Sequence, residues 1–473
     1  MALYEPNGNN AAHSNSNNNN ATATSTTSTK SKVDISQIIT GYKDQGAKQY
    51  QEDSLCTFHS PDLTFLVAAV FDGHGGLNGQ VASQIVSSLT LQYFEQNWQK
   101  AKSWSNQQWT QQMESLYDTL HTKVREEFVQ LEVTRRKHSK LPTNNVSDNG
   151  VVRKSSGFPV HGGTTCTIVC VIREETKWRI VCSNTGDSDA LLLARKPARL
   201  QSDNSKCKHL SVDHSPDNAD EYLRIKHLST DKYPTKLLFV YDQANTCRKF
   251  ECPIVFLEDG TKDPKYVKNP WGNQLRPTNV RYDPAVYAVS PYGVSHDITC
   301  IAMTRSLGDF YAHQFGLTNK PSVTFNELDM SQNDSGEPCE YIITVGSDGV
   351  WDCWKWDDFS DYVNGVMTKF QNKLENVCKT VLKHTIQRAK ACFGEGSYDD
   401  ASLVCVALRP QLFSPTEHSN TDNDNNNASA APNGHANAGN STSHSNTSNA
   451  SNHNDDNEEK EELSVRGLDE DDD

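Results

Sequence analysis

The run Leu66-Val67-Ala68-Ala69-Val70-Phe71, continuing directly into Asp72-Gly73-His74-Gly75-Gly76, constrains this chain more than any other stretch. Six consecutive apolar residues read as a buried strand, and the glycines behind them let the backbone turn sharply and bare its carbonyls. Asp72 is thereby set at a strand end. A carboxylate beside an open glycine carbonyl is a pair of hard oxygen donors of the type Mg²⁺ or Mn²⁺ prefers. Taken alone, the heptad Val70 to Gly76 is equally an ordinary Asp-Gly turn with a solvated histidine.

Further acids stand in the same setting. The apolar run Tyr341 to Val345 leads into Ser347-Asp348-Gly349-Val350-Trp351-Asp352, and Tyr398-Asp399-Asp400 introduces a closing strand, Leu403 to Leu408. Glu52 and Asp53 end a polar connection just before the strand Ser54 to Phe58, and Asp187 occupies a tight turn, Asn184 to Ser188, between two more strands. Asp72, Asp348 and Asp399 can therefore meet at one end of a sheet, with Glu52 nearby. Carboxylates packed this closely repel, and either raise their pKa values or recruit a cation. The lack of matching histidine and cysteine ligands favours Mg²⁺ or Mn²⁺ over zinc. Two such cations about 3.5 to 4 Å apart, bridged by one aspartate, would hold a water as hydroxide and brace an in-line attack on phosphorus.

Composition limits where such a domain lies. The 473 residues begin and end in stretches rich in Asn, Ser and Thr, residues 1–32 and 411–473. Neither stretch holds enough large apolar residues to offset chain entropy, so both are expected to be disordered. Residues 33–410 are left for one large domain, with an atypical insertion around 227–303. The net charge of −15 is concentrated in the last nineteen residues, where eleven acids face only Lys460 and Arg466. No nucleic-acid surface follows, because the one basic cluster, Arg135 to Lys140, reads as a solvated helix end. Thirteen cysteines are scattered singly, and Cys166, Cys170, Cys182 and Cys405 lie within apolar runs, as in a reduced, intracellular protein. No leader pattern or long apolar segment points to a membrane, and a cytoplasmic or nuclear location is expected.

Val81, Ile85 and Leu89 mark a helix reaching about Trp98, and Met113, Leu116, Leu120, Val124, Phe128 and Leu131 mark a second. Phe359, Val363 and Val366, then Leu374, Cys378, Val381 and Ile386, mark a later pair. Many short strands together with two pairs of amphipathic helices, without strict βαβ alternation, predict an α+β layered fold with helices outside sheets.

Gln51-Glu52-Asp53, Asp72-Gly73-His74-Gly75-Gly76, Gly162-Gly163-Thr164-Thr165, Asn184-Thr185-Gly186-Asp187-Ser188, Arg305-Ser306-Leu307-Gly308-Asp309, Ser347 to Asp352 and Asp399-Asp400-Ala401-Ser402 together resemble the protein phosphatase 2C family, in that family's order. The resemblance implies a central antiparallel β-sandwich flanked by pairs of helices. It also implies a binuclear Mn²⁺ or Mg²⁺ centre that hydrolyses phosphoserine and phosphothreonine in phosphorylated proteins, in a chain expected to be monomeric. By position, Asp72 resembles the bridging metal ligand, Gly73 offers its carbonyl, Asp348 and Asp399 resemble ligands of the other metal, and Asp53 is counted among the metal residues. Glu52 would hold metal-bound water, and His74 resembles the general acid that protonates the departing oxygen. Asp187 and Asp352 resemble a weaker third metal position, although both also read as turn or helix-cap residues. Asp309 follows a glycine and reads as a turn residue outside the site.

Three positions depart from the family pattern. Lys48 stands where an arginine usually grips substrate phosphate; it keeps the charge but loses the planar fork. Asp400 replaces a common asparagine, and Asp189 replaces a frequent arginine. The sequence excludes a cysteine phosphatase, since Cys166 has no arginine six positions on. A non-catalytic phosphatase-like binding module and a hydrolase of small phosphate esters both stay open.

Overall fold

In the computed structural model the apolar run becomes the strand Phe65–Phe71, with all seven side chains buried. Its alternation explains the unbroken hydrophobicity. Phe65, Val67, Ala69 and Phe71 pack into a core beneath two helices, whereas Leu66, Ala68 and Val70 pack into a core between two sheets. The structure describes residues 34–195, 207–243, 246, 248–259, 266–274, 285–291, 299–330 and 339–410. The expectations for the tails, 1–32 and 411–473, lie outside them.

Two five-stranded sheets form the centre, and every pairing in them is antiparallel. One runs in the order Ser322–Asp329, Lys177–Thr185, Cys166–Arg173, Phe65–Phe71, Ser54–His59. The other runs Ile39–Asp44, Ala401–Leu408, Glu340–Gly346, Asp189–Arg195, Cys207–His209. Ile343, Val345, Val404, Val406 and Ile180 fill the space between the sheets. A fully buried isoleucine such as Ile343 is worth about 2 to 5 kcal/mol against alanine.

Helices α1 (Leu77–Ala101) and α2 (Asn106–His138) cover the first sheet. Beyond a short helix α3 (Ala219–Lys226) and a single turn α4 (Asp348–Trp351), helices α5 (Trp356–Lys369) and α6 (Leu374–Phe393) cover the second. The expected helix–sheet–sheet–helix layering is therefore what the chain adopts.

Two helical readings need correction. The fully buried face of α1 is Ala82, Val86, Thr90 and Phe94, so Val81, Ile85 and Leu89 are only half-buried. Val81 and Leu89 still pack against the core, and small and hydroxylated residues share the face toward the sheet. Ser83 Oγ donates to the Glu52 carbonyl and Ser87 Oγ to the Leu55 carbonyl at 3.1 Å, joining helix to strand in a way hydrophobicity does not report. The basic end of α2 is not wholly solvated either. Arg136 is buried, pairs with Glu132 at 3.0 Å and donates to the carbonyls of Asn144 and Arg153.

Within 227–303 the described residues form a three-stranded sheet of Leu238–Tyr241, Val286–Val289 and Cys300–Ile301 and a ribbon of Phe256–Glu258 with Tyr266–Lys268. Phe239, Phe256, Ala288 and Phe315 give this region its own small core.

Candidate active site

Asp72 leaves the end of Phe65–Phe71 anchored on both sides of its peptide. Its N–H donates to Thr165 Oγ1 at 3.0 Å, and its carbonyl accepts from the Thr165 N–H at 2.8 Å. Thr165 Oγ1 also bonds Ser188 Oγ at 2.7 Å, which ties this turn to the one bearing Asp187. Gly73 has no room for a side chain: a Cβ there would collide with the carbonyls of Glu52 and Gly79.

The other acids are held by equally close backbone approaches. A Cβ on Gly349 would overlap the Asp400 carbonyl, and Gly46, at φ +64°, lies against the Asp399 carbonyl. Ser347 Oγ donates to Asp53 Oδ2 at 2.8 Å and accepts from the Ser402 N–H at 2.9 Å. Asp400 Oδ2 accepts from the N–H groups of both Glu52 and Asp53, each at 2.8 Å. Segments around residues 50, 72, 348 and 400 are thus bolted together. Asp400, read from sequence as a replacement for a common asparagine, is the clamp between two of them.

The convergence is felt electrostatically. Burial, then Asp348, Asp53, Asp399 and Asp400, pushes the Asp72 carboxyl well above the ordinary range. Burial, then Asp348 and Asp213, does the same to Asp187. Asp53, fully buried, is pushed up to about 7 by burial and by Asp348 and Asp399. Asp400 is pushed up to about 8 by burial and by Asp53.

Lys48 is the internal cation. Its Nζ pairs with Asp399, lies 2.7 Å from Asp400 Oδ1 and 3.5 Å from Glu52 Oε2. Burial opposes that charge, but Asp399, Asp72 and Asp400 outweigh it and hold the lysine pKa above its ordinary value. The ammonium expected to meet phosphate is therefore engaged by carboxylates.

Among the described residues no three acid, histidine or cysteine side chains are drawn together tightly enough to ligate an ion as they stand. The donor set nevertheless fits a hard divalent cation. It consists of carboxylates that raise one another's pKa, a glycine carbonyl, and a buried Asp187 Oδ1 with no hydrogen-bond partner. Asp352 caps α4, its N–H donating to the Asp348 carbonyl at 2.8 Å, and shares a cleft of about 510 Å³ with Asp187 and Asp348.

His74 does not stand alone. Its Nε2 lies 2.7 Å from Asp309 Oδ2, which also accepts from Ser306 Oγ at 2.6 Å. A three-stranded ribbon makes the contact: Gly73–His74 pairs with Gly163–Thr164, which pairs with Leu307–Gly308. Asp309 adopts φ +45°, and a Cβ on Gly163 would strike its carboxylate. Burial works against the charge on His74, but Asp309, then Asp187 and Glu52, raises its pKa. Asp309 therefore belongs to the site, contrary to its reading as a turn residue. Its sequence signals are its place at the end of the family-like block Arg305 to Asp309 and an acid directly after a glycine, a weak sign of a left-handed turn.

A model of the family described as Protein phosphatase 2C matches residues 39–231 and 289–391. The chain belongs to the protein phosphatase 2C family. The unmatched stretch between those segments falls inside 227–303. Among relatives of this phosphatase 2C chain, "Protein phosphatase 2C 7" of Arabidopsis thaliana is 31% identical over 371 residues, 74% of this chain and 54% of that protein. "Probable protein phosphatase 2C 52" of the same plant is 23% identical over 398 residues, 80% of this chain and 67% of that protein. The chain thus spans about half to two thirds of these relatives. A solved structure of serine-threonine phosphatase 2C from Toxoplasma gondii aligns with 78% of this chain and 94% of its own, at 15% identity and a TM-score of 0.43.

Proposed function

We propose that this chain is a metal-dependent protein serine/threonine phosphatase, and that Mn²⁺ or Mg²⁺ is the metal. The observation that carries the reading is the joining of Asp72, Asp348 and Asp399 from three remote segments through glycines with no room for a side chain. Asp72, the Gly73 carbonyl, Asp348 and Asp399 would hold the ions, with Asp187 and Asp352 at a weaker position. When bound, such ions lower the pKa of a coordinated water and polarise the phosphoryl oxygens.

The chain's own residues supply the rest. Glu52, whose carboxyl burial raises above its ordinary pKa, accepts a hydrogen bond from an attacking water and orients it. His74, kept protonated by Asp309, gives its proton to the serine or threonine oxygen as the P–O bond breaks. Asp53 serves as an internal acceptor for Ser347, which sets the Asp348 turn. Lys48 balances the acids and turns to phosphate only when a divalent ion takes over Asp399.

The test is hydrolysis of a phosphothreonine peptide and an aryl phosphate with Mn²⁺ and with Mg²⁺. The expected result is turnover that is abolished by chelator and by Asp72→Asn. Protein inert toward both substrates across both metals would leave the fold as a phosphoprotein-binding module.

A further inference from the structure

The cleft that begins at Asp348 and Asp352 extends, over about 510 Å³, past the groups the phosphatase reading uses. One wall is aromatic. The rings of Trp351 and Trp356 lie 5.4 Å apart, and His209 stands edge-on to Trp356 at 4.7 Å. The Trp351 indole N–H is spent on the Gly346 carbonyl at 2.8 Å and its ring is largely buried, so the half-buried Trp356 is the more open of the two rings.

Carboxylates line the same space, and among the described residues Asp189 and Asp213 take their hydrogen bonds from neutral serine donors. Asp189 is only 6% exposed, yet among the described residues its sole hydrogen bond is from Ser211 Oγ, 2.7 Å from Oδ1. Among the described residues the Asp213 carboxylate accepts only from the N–H and Oγ of Ser215, at 2.9 and 2.7 Å. Asp189 and Asp213 are close enough to repel. Of the basic residues near them, Lys268 is taken by Asp217 at 2.6 Å, and Lys355 is exposed. A buried carboxylate with one oxygen unclaimed, beside a second carboxylate held only by neutral donors, is an unbalanced arrangement.

We infer that this cleft takes the cationic side chain, arginine or lysine, of a phosphorylated protein substrate whose phospho-residue lies at the neighbouring acids. The inference rests on the phosphatase reading and names its substrate class. Aromatic rings beside carboxylates suit such a group, since a guanidinium stacks on indole and offers a fork of N–H donors to acids. A hydrated divalent ion, which demands oxygen on all sides, gains nothing from two tryptophans. Because Asp348 borders both spaces, a basic residue close in sequence to the phospho-residue reaches the cleft along an extended peptide.

The experiment uses the full chain with Mn²⁺ and pairs of phosphothreonine peptides that differ at one position, arginine against citrulline. The substitution is moved through the positions on either side of phosphothreonine. At one position kcat/KM is expected to favour arginine by about tenfold, and the ratio is expected to fall toward one in Asp189→Asn and Asp213→Asn. Equal values at every position in the unmodified protein would overturn the inference, without needing any variant to fold. So would a preference undiminished in both variants, or one that vanishes as Mn²⁺ rises past saturation, which would assign the cleft to a metal. If no peptide or aryl phosphate is hydrolysed, the phosphatase reading fails separately. Non-hydrolysable phosphonate versions of the same peptides, followed by fluorescence anisotropy, then still report whether the cleft prefers arginine.

Discussion

Asp309→Asn separates the role of His74 from the rest of the site, because asparagine keeps the shape and the acceptor oxygen while removing the charge. In the native protein Asp309 Oδ2 receives His74 Nε2 at 2.7 Å and Ser306 Oγ at 2.6 Å, with the carboxylate side chain 9% exposed and the imidazole 27%. A charge-assisted hydrogen bond is worth about 1.5 to 3 kcal/mol against about 0.5 to 1.5 for a neutral one, a difference of roughly tenfold or somewhat more in how readily His74 stays protonated. Because Asp309 raises the His74 pKa, the acid form persists below that raised value and is lost as pH climbs through it. The variant should therefore lose about ten- to a hundredfold in kcat on a phosphothreonine peptide at neutral pH, with the alkaline limb of its pH profile moved downward. An aryl phosphate, whose phenolate leaves without a proton, should lose far less. Parallel kinetics on the two substrates from pH 5 to 9 decide it: an equal loss on both, or an unmoved alkaline limb, would refute His74 as the acid and Asp309 as its partner.

Two further outcomes follow from ion pairs on either side of the site. Glu221 is 2% exposed and accepts from Thr304 Oγ1 at 2.6 Å, Arg224 Nε at 2.8 Å and Arg305 Nε at 3.0 Å. Burial opposes its charge, but Arg305 and Arg224 bring its pKa down to about 2, so the stability it provides, about 3 kcal/mol, is present above the unfolded pKa and lost as pH falls from about 5 toward 2. Acid unfolding followed by circular dichroism should show this loss in the native chain and not in Glu221→Gln. Removing the internal cation with Lys48→Met should lower Tm in chelator, because Asp399 and Asp400 lose their partner, and should enlarge the Tm gain on adding Mn²⁺. An unchanged Mn²⁺-dependent gain would show that Lys48 does not balance these acids.

Much of the layering is legible in local pattern. The alternation hidden within Phe65–Phe71 and Ala401–Leu408 serves two cores at once, so both appear as solid apolar runs and both mark strands. The placement of acids at strand ends is likewise visible, because one apolar run leads into Asp72-Gly73, another into Ser347-Asp348-Gly349, and a third begins just after Asp399-Asp400. Long-range partnership is not. Nothing near His74 announces Asp309, 235 residues away, since the contact depends on three two-residue strands too short to carry a hydrophobic period. The true buried face of α1 escapes for a different reason: Ser83 and Ser87 face the sheet because strand carbonyls need donors, and a hydrophobic stripe cannot reveal that. Lys48 could be assigned a phosphate from its position, but its pairing with Asp399 and Asp400 depends on a turn far along the chain. The region 227–303 is opaque because its core is small and drawn from short strands broken by prolines.

The central claim is that Asp72 and Asp348 help hold divalent metal, and direct Mn²⁺ binding tests it without any turnover. Paramagnetic resonance of free Mn²⁺, titrated into chelator-stripped protein, should show saturable uptake of at least two ions per chain. Asp72→Asn and Asp348→Asn, each checked for unchanged circular dichroism, should lose at least one of those ions. Uptake by both folded variants equal to that of the native chain would contradict the account.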